Sequence, residues 1–178
     1  LLETTTDSQS ATSRTTAYGR DATGRVISID GPRPGAVDTT LIDYYACTTG
    51  GKCGQVASIT NAVGHVTHFN SYNGDGQVTQ KTDPNGLVTT LTYWPSGLVK
   101  EITEGSEVTK FEYWLGGLLK KVTYPNGFEL SYLYNDKNRL TDIEDIDGNR
   151  IHYTLDLLGN ETKVEIFDAS NVLVKEEQ

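Results

Sequence analysis

The sequence predicts an all-β protein made of antiparallel hairpins that repeat about every 21 residues. Three observations carry this. Tyr72, Tyr93, Tyr113, Tyr134 and then Leu155 succeed one another at intervals of 21, 20, 21 and 21 residues. Four residues past each stands a turn former: Gly76, Gly97, Gly117, Asn138 and Gly159. A second glycine recurs about half a period on, at Gly64, Gly86, Gly105, Gly127 and Gly148. Asn138 fits its series because asparagine is the non-glycine residue that best tolerates positive φ. The chain, 1–178, reads as one array, irregular over 1–71 and regular over 72–175. In the irregular part, Tyr18 with "DATGRVISID" and Tyr45 with "CTTGGKCGQVASIT" carry the pattern with insertions.

Each unit reads as two strands and two turns. In "DPNG", Pro84 suits the second position of a type I turn, and Gly86 can take the left-handed position that closes a hairpin. "WPSG", with Pro95 and Gly97, offers the same solution at the other end of the strand, and "YPNG" repeats it at Gly127. In the strand leading to each tyrosine, one face collects Leu87, Thr89, Leu91 and Tyr93. The next copies give Phe128, Leu130, Tyr132, Tyr134, and Asn149, Ile151, Tyr153, Leu155. The opposite faces hold Val88, Thr90, Thr92, then Glu129, Ser131, Leu133, then Arg150, His152, Thr154. Such alternation belongs to a half-buried antiparallel strand, where a helix would space its apolar residues by three and four.

The second strand of each unit is less regular. One column reads Ile29, Ile59, Lys81, Ile102, Val122, Ile143, Val164; another, three residues earlier, reads Val26, Val56, Val78, Val99, Leu119, Leu140, Glu161. An odd offset puts the two on opposite faces unless a bulge re-aims one of them. The sequence leaves both arrangements open.

Composition agrees with β-structure: 18 glycines, 10 tyrosines and no methionine, with 36% hydrophobic residues. Twenty-four acids against 15 bases give a net charge of -9. Nucleic-acid binding needs a basic stripe, and the longest basic run is Lys120–Lys121, so that class is discounted. No apolar run reaches the length of a membrane span. There is no leader pattern and no initiator methionine, so a chain beginning "LLETTT" is expected to be a piece of something longer. "LLETTTD" and "NVLVKEEQ" both read as uncapped strands, which predicts pairing of those edges with further chain or with another copy.

Candidate chemistry is sparse. Cys47 and Cys53 flank a Gly-Gly turn and are read first as a disulfide that clips an extended turn, with free thiols as the main alternative. The paired CxxC spacing of a zinc site is absent. A disulfide would place the chain outside the cytosol. His65 and His68 are three apart on a strand and face opposite ways, and His152 lies on a polar face; all three read as solvated residues. The acids Asp142, Glu144, Asp145 and Asp147 are dense enough to suggest a glycosidase pair, but a charged strand end and turn account for them. No GxSxG or GxGxxG is present. Trp94 and Trp114 each come directly after a repeat tyrosine and are the candidate glycan contacts; the plainer reading is that they cover the wall or touch a neighbouring ribbon turn. "NET" at Asn160 is a glycosylation sequon if the source is a eukaryotic secreted protein. No catalytic, cofactor-binding or metal-binding residue is expected.

The segment "YNGDGQVTQKTDPNGLVTTLTY" (Tyr72 to Tyr93) and, next to it, "YNDKNRLTDIEDIDGNRIHYTL" (Tyr134 to Leu155) resemble the Rhs, or YD-repeat, family, and the likeness extends over roughly Tyr18 to Lys175. The resemblance implies an open, curved, spiralling antiparallel sheet, a section of the hollow shell that encloses a toxin domain in polymorphic toxins and insecticidal toxin complexes, with a related shell in teneurins. This sequence departs from the family by lacking the core segment that ends the shell and a non-repetitive toxin domain. The resemblance therefore implies a non-enzymatic wall segment from a secreted or cell-surface protein, bacterial and delivered by a secretion system. Its partners would be the remaining repeats and a C-terminal toxin domain. The alternative is a carbohydrate- or protein-binding adhesion module. The residues expected to matter are structural: Tyr72, Gly76, Pro84, Gly86, Tyr93, Pro95, Gly97, Tyr113, Gly127, Tyr134 and Gly148.

Overall fold

The computed structural model describes residues 2–7, 14–33, 38–47 and 51–178. Every regular element among them is a strand: β1 (Leu2–Asp7), β2 (Arg14–Arg20), β3 (Val26–Asp30), β4 (Thr39–Tyr44), β5 (Val56–Thr60), β6 (Val66–Tyr72), β7 (Val78–Thr82), β8 (Val88–Tyr93), β9 (Val99–Glu104), β10 (Glu107–Tyr113), β11 (Leu119–Thr123), β12 (Glu129–Tyr134), β13 (Leu140–Asp145), β14 (Arg150–Leu155), β15 (Glu161–Phe167) and β16 (Leu173–Glu177). Two compact units are distinguished, Leu1–Thr90 and Leu91–Gln178. Within each, strands lie in chain order and pair antiparallel with their sequence neighbours, giving open, unclosed sheet.

The turns repeat one solution. Asp83 N donates to Leu87 O (2.9 Å) and Gly86 N to Asp83 O (3.0 Å), while Asp83 Oδ1 accepts from the amides of Asn85 and Leu87. Gly86 sits at φ +86°, where a side chain would be strained. The same pair of backbone bonds recurs at the turns that begin at Asp21, Asn61, Asn73, Trp94, Trp114, Tyr124, Asn135, Asp145, Asp156 and Asp168. Asn138 and Asn171 take the left-handed position in two of them, at φ 59° and 61°. Gly105 departs from its series. Glu104 pairs directly with Glu107, so Gly105 and Ser106 form a two-residue hairpin loop with φ +61° at the glycine.

A bulge decides the question of the two columns. Glu112 pairs with Lys121 but Tyr113 pairs with Leu119, so Lys120 is an extra residue in β11. Ile27, Ala57, Thr79, Thr141, Thr162 and Val174 are the extra residues at the corresponding places. One inserted residue turns a three-residue offset into an even one, so both columns share the face of the tyrosines. Rows across that face read Phe111–Val122–Leu130 and Tyr132–Ile143–Ile151. The bulge also fixes which residues of the irregular units hold the tyrosine place. Arg20 pairs with Val26 and Tyr44 with Val56, as Tyr134 does with Leu140, so the column runs through Arg20 and Tyr44 and not through Tyr18 and Tyr45.

The core is thin. Val122, 4% exposed, is the one large apolar side chain among the described residues that is buried, and Ser58 and Thr89 are its polar counterparts. None is fully enclosed. The opposite face is laced with ion pairs, Lys121 to Glu129 at 2.7 Å and Lys163 to Glu165 at 2.8 Å and Glu176 at 3.1 Å in the second unit. A sheet with one weakly covered apolar face lacks the second layer that domains ordinarily pack against it.

Cys47 and Cys53 are joined, with Cα atoms 4.2 Å apart. Gly50, half of the Gly-Gly turn expected between them, lies outside the described residues. The bond closes a short loop in the first unit, and reduction should remove about 2 kcal/mol of chain-entropy stabilisation. The check is thermal melting with and without reductant, where the reduced form should melt lower and a Cys47→Ser/Cys53→Ser variant should match it in both conditions.

Candidate functional site

The two kinds of strand pair differ in length, and this shapes the surface. Pairs joined by the turn after a column residue run through the bulge to the turn, as β12 and β13 do from Leu130↔Asp145 to Tyr134↔Leu140. From β3 onward, pairs joined by the opposite turn are short: β11 with β12, and β13 with β14, pair at three positions each, and β9 with β10 at four. Beyond them the strands separate, and backbone carbonyls that a full ladder would satisfy are left facing the gap. Side chains supply the missing donors.

They come from both sides. Tyr44 Oη donates to Val26 O at 2.9 Å and Tyr72 Oη to Val56 O at 2.7 Å, each reaching back one unit. From the residue after the column, Tyr45 Oη donates to Phe69 O at 2.8 Å, Trp94 Nε1 to Phe111 O at 3.1 Å and Trp114 Nε1 to Tyr132 O at 3.3 Å, each reaching forward. Arg139 Nη1 does the same work toward Asp156 O at 3.1 Å. A Tyr72→Phe variant should lose about 1 kcal/mol, because it removes one donor and leaves the half-buried Val56 carbonyl unpaired. Urea titration would read this as a lower midpoint at unchanged slope.

In the second unit the gap between β9 and β10 widens into an open groove of about 920 Å³. Pairing of these strands stops at Lys110↔Glu101. Trp94 and Trp114 stand on its two sides, 39% and 43% exposed, with the fully exposed Leu115 at one rim. Each indole begins a turn, its amide bonded to the carbonyl four residues on, at Leu98 and Leu118. Each is also capped by the lysine six residues on, which for Trp114 is the bulge residue: Lys100 Nζ lies 5.2 Å from the Trp94 ring centre and Lys120 Nζ 4.9 Å from that of Trp114. Lys110 to Glu101 and Lys120 to Glu112 are long contacts of 3.9 Å. The groove therefore offers two aromatic faces of fixed orientation and a set of cations only loosely neutralised.

The other candidates disperse. His65 falls in a turn, its amide accepted by Asn61 Oδ1, and not in the strand expected for it. His68 is exposed. His152 is held rather than solvated: its Nδ1 lies 2.8 Å from Asp142 Oδ1, with Arg150 3.7 Å from the same oxygen. Asp145 organises its own turn, accepting from Asp147 N and from Asn149 through its amide and side chain. The Asn149 side-chain bond, joined by backbone amides, holds its carboxyl below the ordinary range, and Asn160 does the same for Asp156. Asp142 and Asp145 are thus occupied in structure, Asp147 stands on an exposed turn, and Glu144 lies half-buried within β13, paired in register with Arg150. Asn160 is exposed, its Nδ2 bonded to Asp156 Oδ2. No group of three or more His, Cys, Asp or Glu among the described residues forms a metal site, and no helix is long and apolar enough to cross a membrane. What sequence reasoning missed is the lysine above each indole. The signal was present, since Lys100 and Lys120 stand at the same interval after Trp94 and Trp114, but spacing alone does not say which lysine in a strand lies over a turn residue.

The family model described as the teneurin YD-shell matches residues 53–167. No curated protein sequence matches the chain. Among solved structures, the crystal structure of TcdB2-TccC3 without its hypervariable C-terminal region is similar at a TM-score of 0.66 and 17% identity, over 89% of this chain and 9% of that one. The Photorhabdus luminescens Tc holotoxin pore gives 0.67 and 15%, over 92% of this chain and 9% of that one. At such identities the likeness concerns the fold, and the chain spans about a tenth of the length of those relatives. On the family match, which takes in the regular hairpins from the disulfide loop to β15, the chain belongs to the teneurin YD-shell family.

Proposed function

We propose that the chain is a length of shell wall in a larger secreted or surface-exposed protein, enclosing or presenting a toxin or partner domain and carrying no catalysis of its own. One observation supports this above others: a hairpin sheet whose apolar face has a single large apolar residue buried to 4% and no fully enclosed side chain among the described residues. Such a sheet gains stability from more of the same structure along its length and from whatever lies against its face. The Cys47–Cys53 bond fits an oxidising compartment. The test is limited proteolysis of the intact parent protein, with mass spectrometry of the domain it carries. That domain should survive protease that degrades it in isolation, and deletion of residues 72–133 should end the protection. Equal digestion in both settings would overturn the reading.

A second reading, a binding or adhesion module, is favoured by the groove between Trp94 and Trp114. Recognition sites commonly present exposed aromatic faces held in place by a few polar groups, here the indoles' own N–H bonds. The two readings are compatible, since a wall has an outer surface.

A further inference from the structure

From the groove's geometry we infer that it binds an anionic oligosaccharide, with sugar rings stacked on Trp94 and Trp114 and a carboxylate or sulfate received by Lys100. This rests on the second reading above and gives it a ligand class.

The first argument is preorganisation. Each indole is fixed twice, by its turn and by the Nε1–H bond to Phe111 O or Tyr132 O, so stacking a ligand costs little side-chain entropy. The second is spacing. The tryptophans stand one repeat apart, two strands along the sheet, a span of at least ~10 Å because the strands between them diverge at the groove. A linear sugar chain lying across the strands can therefore meet both rings with residues separated by at least one other. The hydroxyls of the intervening sugar would face Lys110 and Glu101, a pair whose 3.9 Å separation leaves both ends able to form hydrogen bonds.

The third argument is charge. The groove is lined by Lys100 and Lys110 together with Glu101 and Glu112, and Lys120 stands over the Trp114 ring beside it; Lys110 and Lys120 each have an acidic partner at 3.9 Å, which leaves Lys100 as the lining cation whose charge is not met. Among the described residues Lys100 forms no ion pair, and its Nζ lies 5.2 Å from the centre of the Trp94 ring. A cation held over an aromatic face and lacking a carboxylate is disposed to accept one from a ligand. A neutral glycan would use the rings and leave that charge idle; an acidic peptide would use the charge but has no flat, C–H-rich face to match two fixed indoles.

The experiment titrates the chain with hyaluronan hexasaccharide, an alternating uronate, and with the neutral N-acetylglucosamine hexamer. Tryptophan emission is the readout, and Trp94 and Trp114 are its only sources. The acidic sugar should shift the emission and bind, and Lys100→Gln should weaken it about tenfold, the worth of one charge-assisted hydrogen bond. Lys100→Gln should leave any residual binding of the neutral hexamer unchanged. Trp94→Phe keeps a ring without the N–H and should retain most of the binding with a slightly lower melting temperature; Trp94→Ala should lose it while circular dichroism still reports strand. Neutral and acidic hexamers binding alike would overturn the anionic assignment and leave an adhesion module standing. Binding by neither, in a chain that melts cooperatively, would remove the adhesion reading as well. Undiminished binding in a folded Trp94→Ala/Trp114→Ala chain would place the site elsewhere and overturn the inference. None of these outcomes bears on the proteolysis result that tests the wall.

Discussion

A Val122→Asp chain is expected to lose its second unit. Val122 lies 4% exposed between Phe111 and Leu130, at the middle of a row three strands wide. An aspartate there would have to bury a carboxylate with no cationic partner on its face, since Lys121 points to the opposite side with Glu129. The cost is several kcal/mol whether the group stays charged or takes a proton, on the order of the whole stability of a small domain. Val122→Ala should cost about 2 kcal/mol, the deletion of part of a buried side chain. Val122→Thr should be milder than aspartate, because Thr89 is buried equally well at a strand position of its own, 4% exposed. Both tryptophans belong to the second unit, so their emission maximum tracks it alone. A Val122→Asp chain with native emission and a native melting curve would show that this row is not the core of the unit.

That row is only half legible in the sequence. Period and turn chemistry can be read from residue types because each turn position has a physical requirement: positive φ at Gly86 or Asn138, and a ring-fixed φ at Pro84. The bulge has no such requirement. Its extra residue is Ile, Ala, Thr, Lys or Val from one unit to the next, since a bulged residue needs neither a particular side chain nor a particular face. Two apolar columns three residues apart are visible; that they cover one face is not. The same blind spot hides the column places of Arg20 and Tyr44, because Tyr18 and Tyr45 attract the eye and register is a property of pairs. For the groove, two tryptophans are conspicuous, but a groove needs the early end of β9–β10 pairing, and pairing length is set by how far neighbouring hairpins diverge.

The divergence also connects the fold to the groove. If every pair ran its full length, the carbonyls of Phe111 and Tyr132 would be consumed by the ladder and the indoles would have no partner to fix them. A gap that must be closed by side chains brings large aromatic residues to one edge and orients them. In some units that closure uses a tyrosine or an arginine, as at Tyr45 and Arg139, and leaves no aromatic pair. Only where consecutive units both close it with tryptophan does a two-ring surface arise. On the binding reading proposed above, recognition would be a local elaboration of a structural necessity.

Stability should decline at alkaline pH, above about pH 10. Burial pushes the phenols of Tyr93, Tyr113 and Tyr134 up; it also raises Tyr132, helped by Tyr124 and Tyr134, and Tyr72, helped by Tyr45. The unfolded chain ionises its tyrosines near pH 10. A folded-state pKa above that value means the fold binds the proton more tightly than the unfolded chain does. The associated stability is therefore complete below about pH 10 and declines as pH rises through the folded-state values. Tyr72 adds a direct loss, because ionisation removes the proton it donates to Val56 O. Four of the five lie in the second unit, so tryptophan emission should report the transition, in step with tyrosinate absorbance. The acidic side has the opposite sign: turn carboxylates such as Asp145 and Asp156, held below their ordinary values, stabilise above the carboxylate range and cease to as pH falls through it. Denaturant midpoints measured across pH should thus show a plateau bounded by two declines. The tyrosine column is responsible for the upper one if a Tyr93→Phe/Tyr113→Phe/Tyr134→Phe chain, corrected for its lower starting stability, declines less steeply above about pH 10. An unchanged slope in that variant would assign the alkaline limb to other groups and leave the column as packing alone.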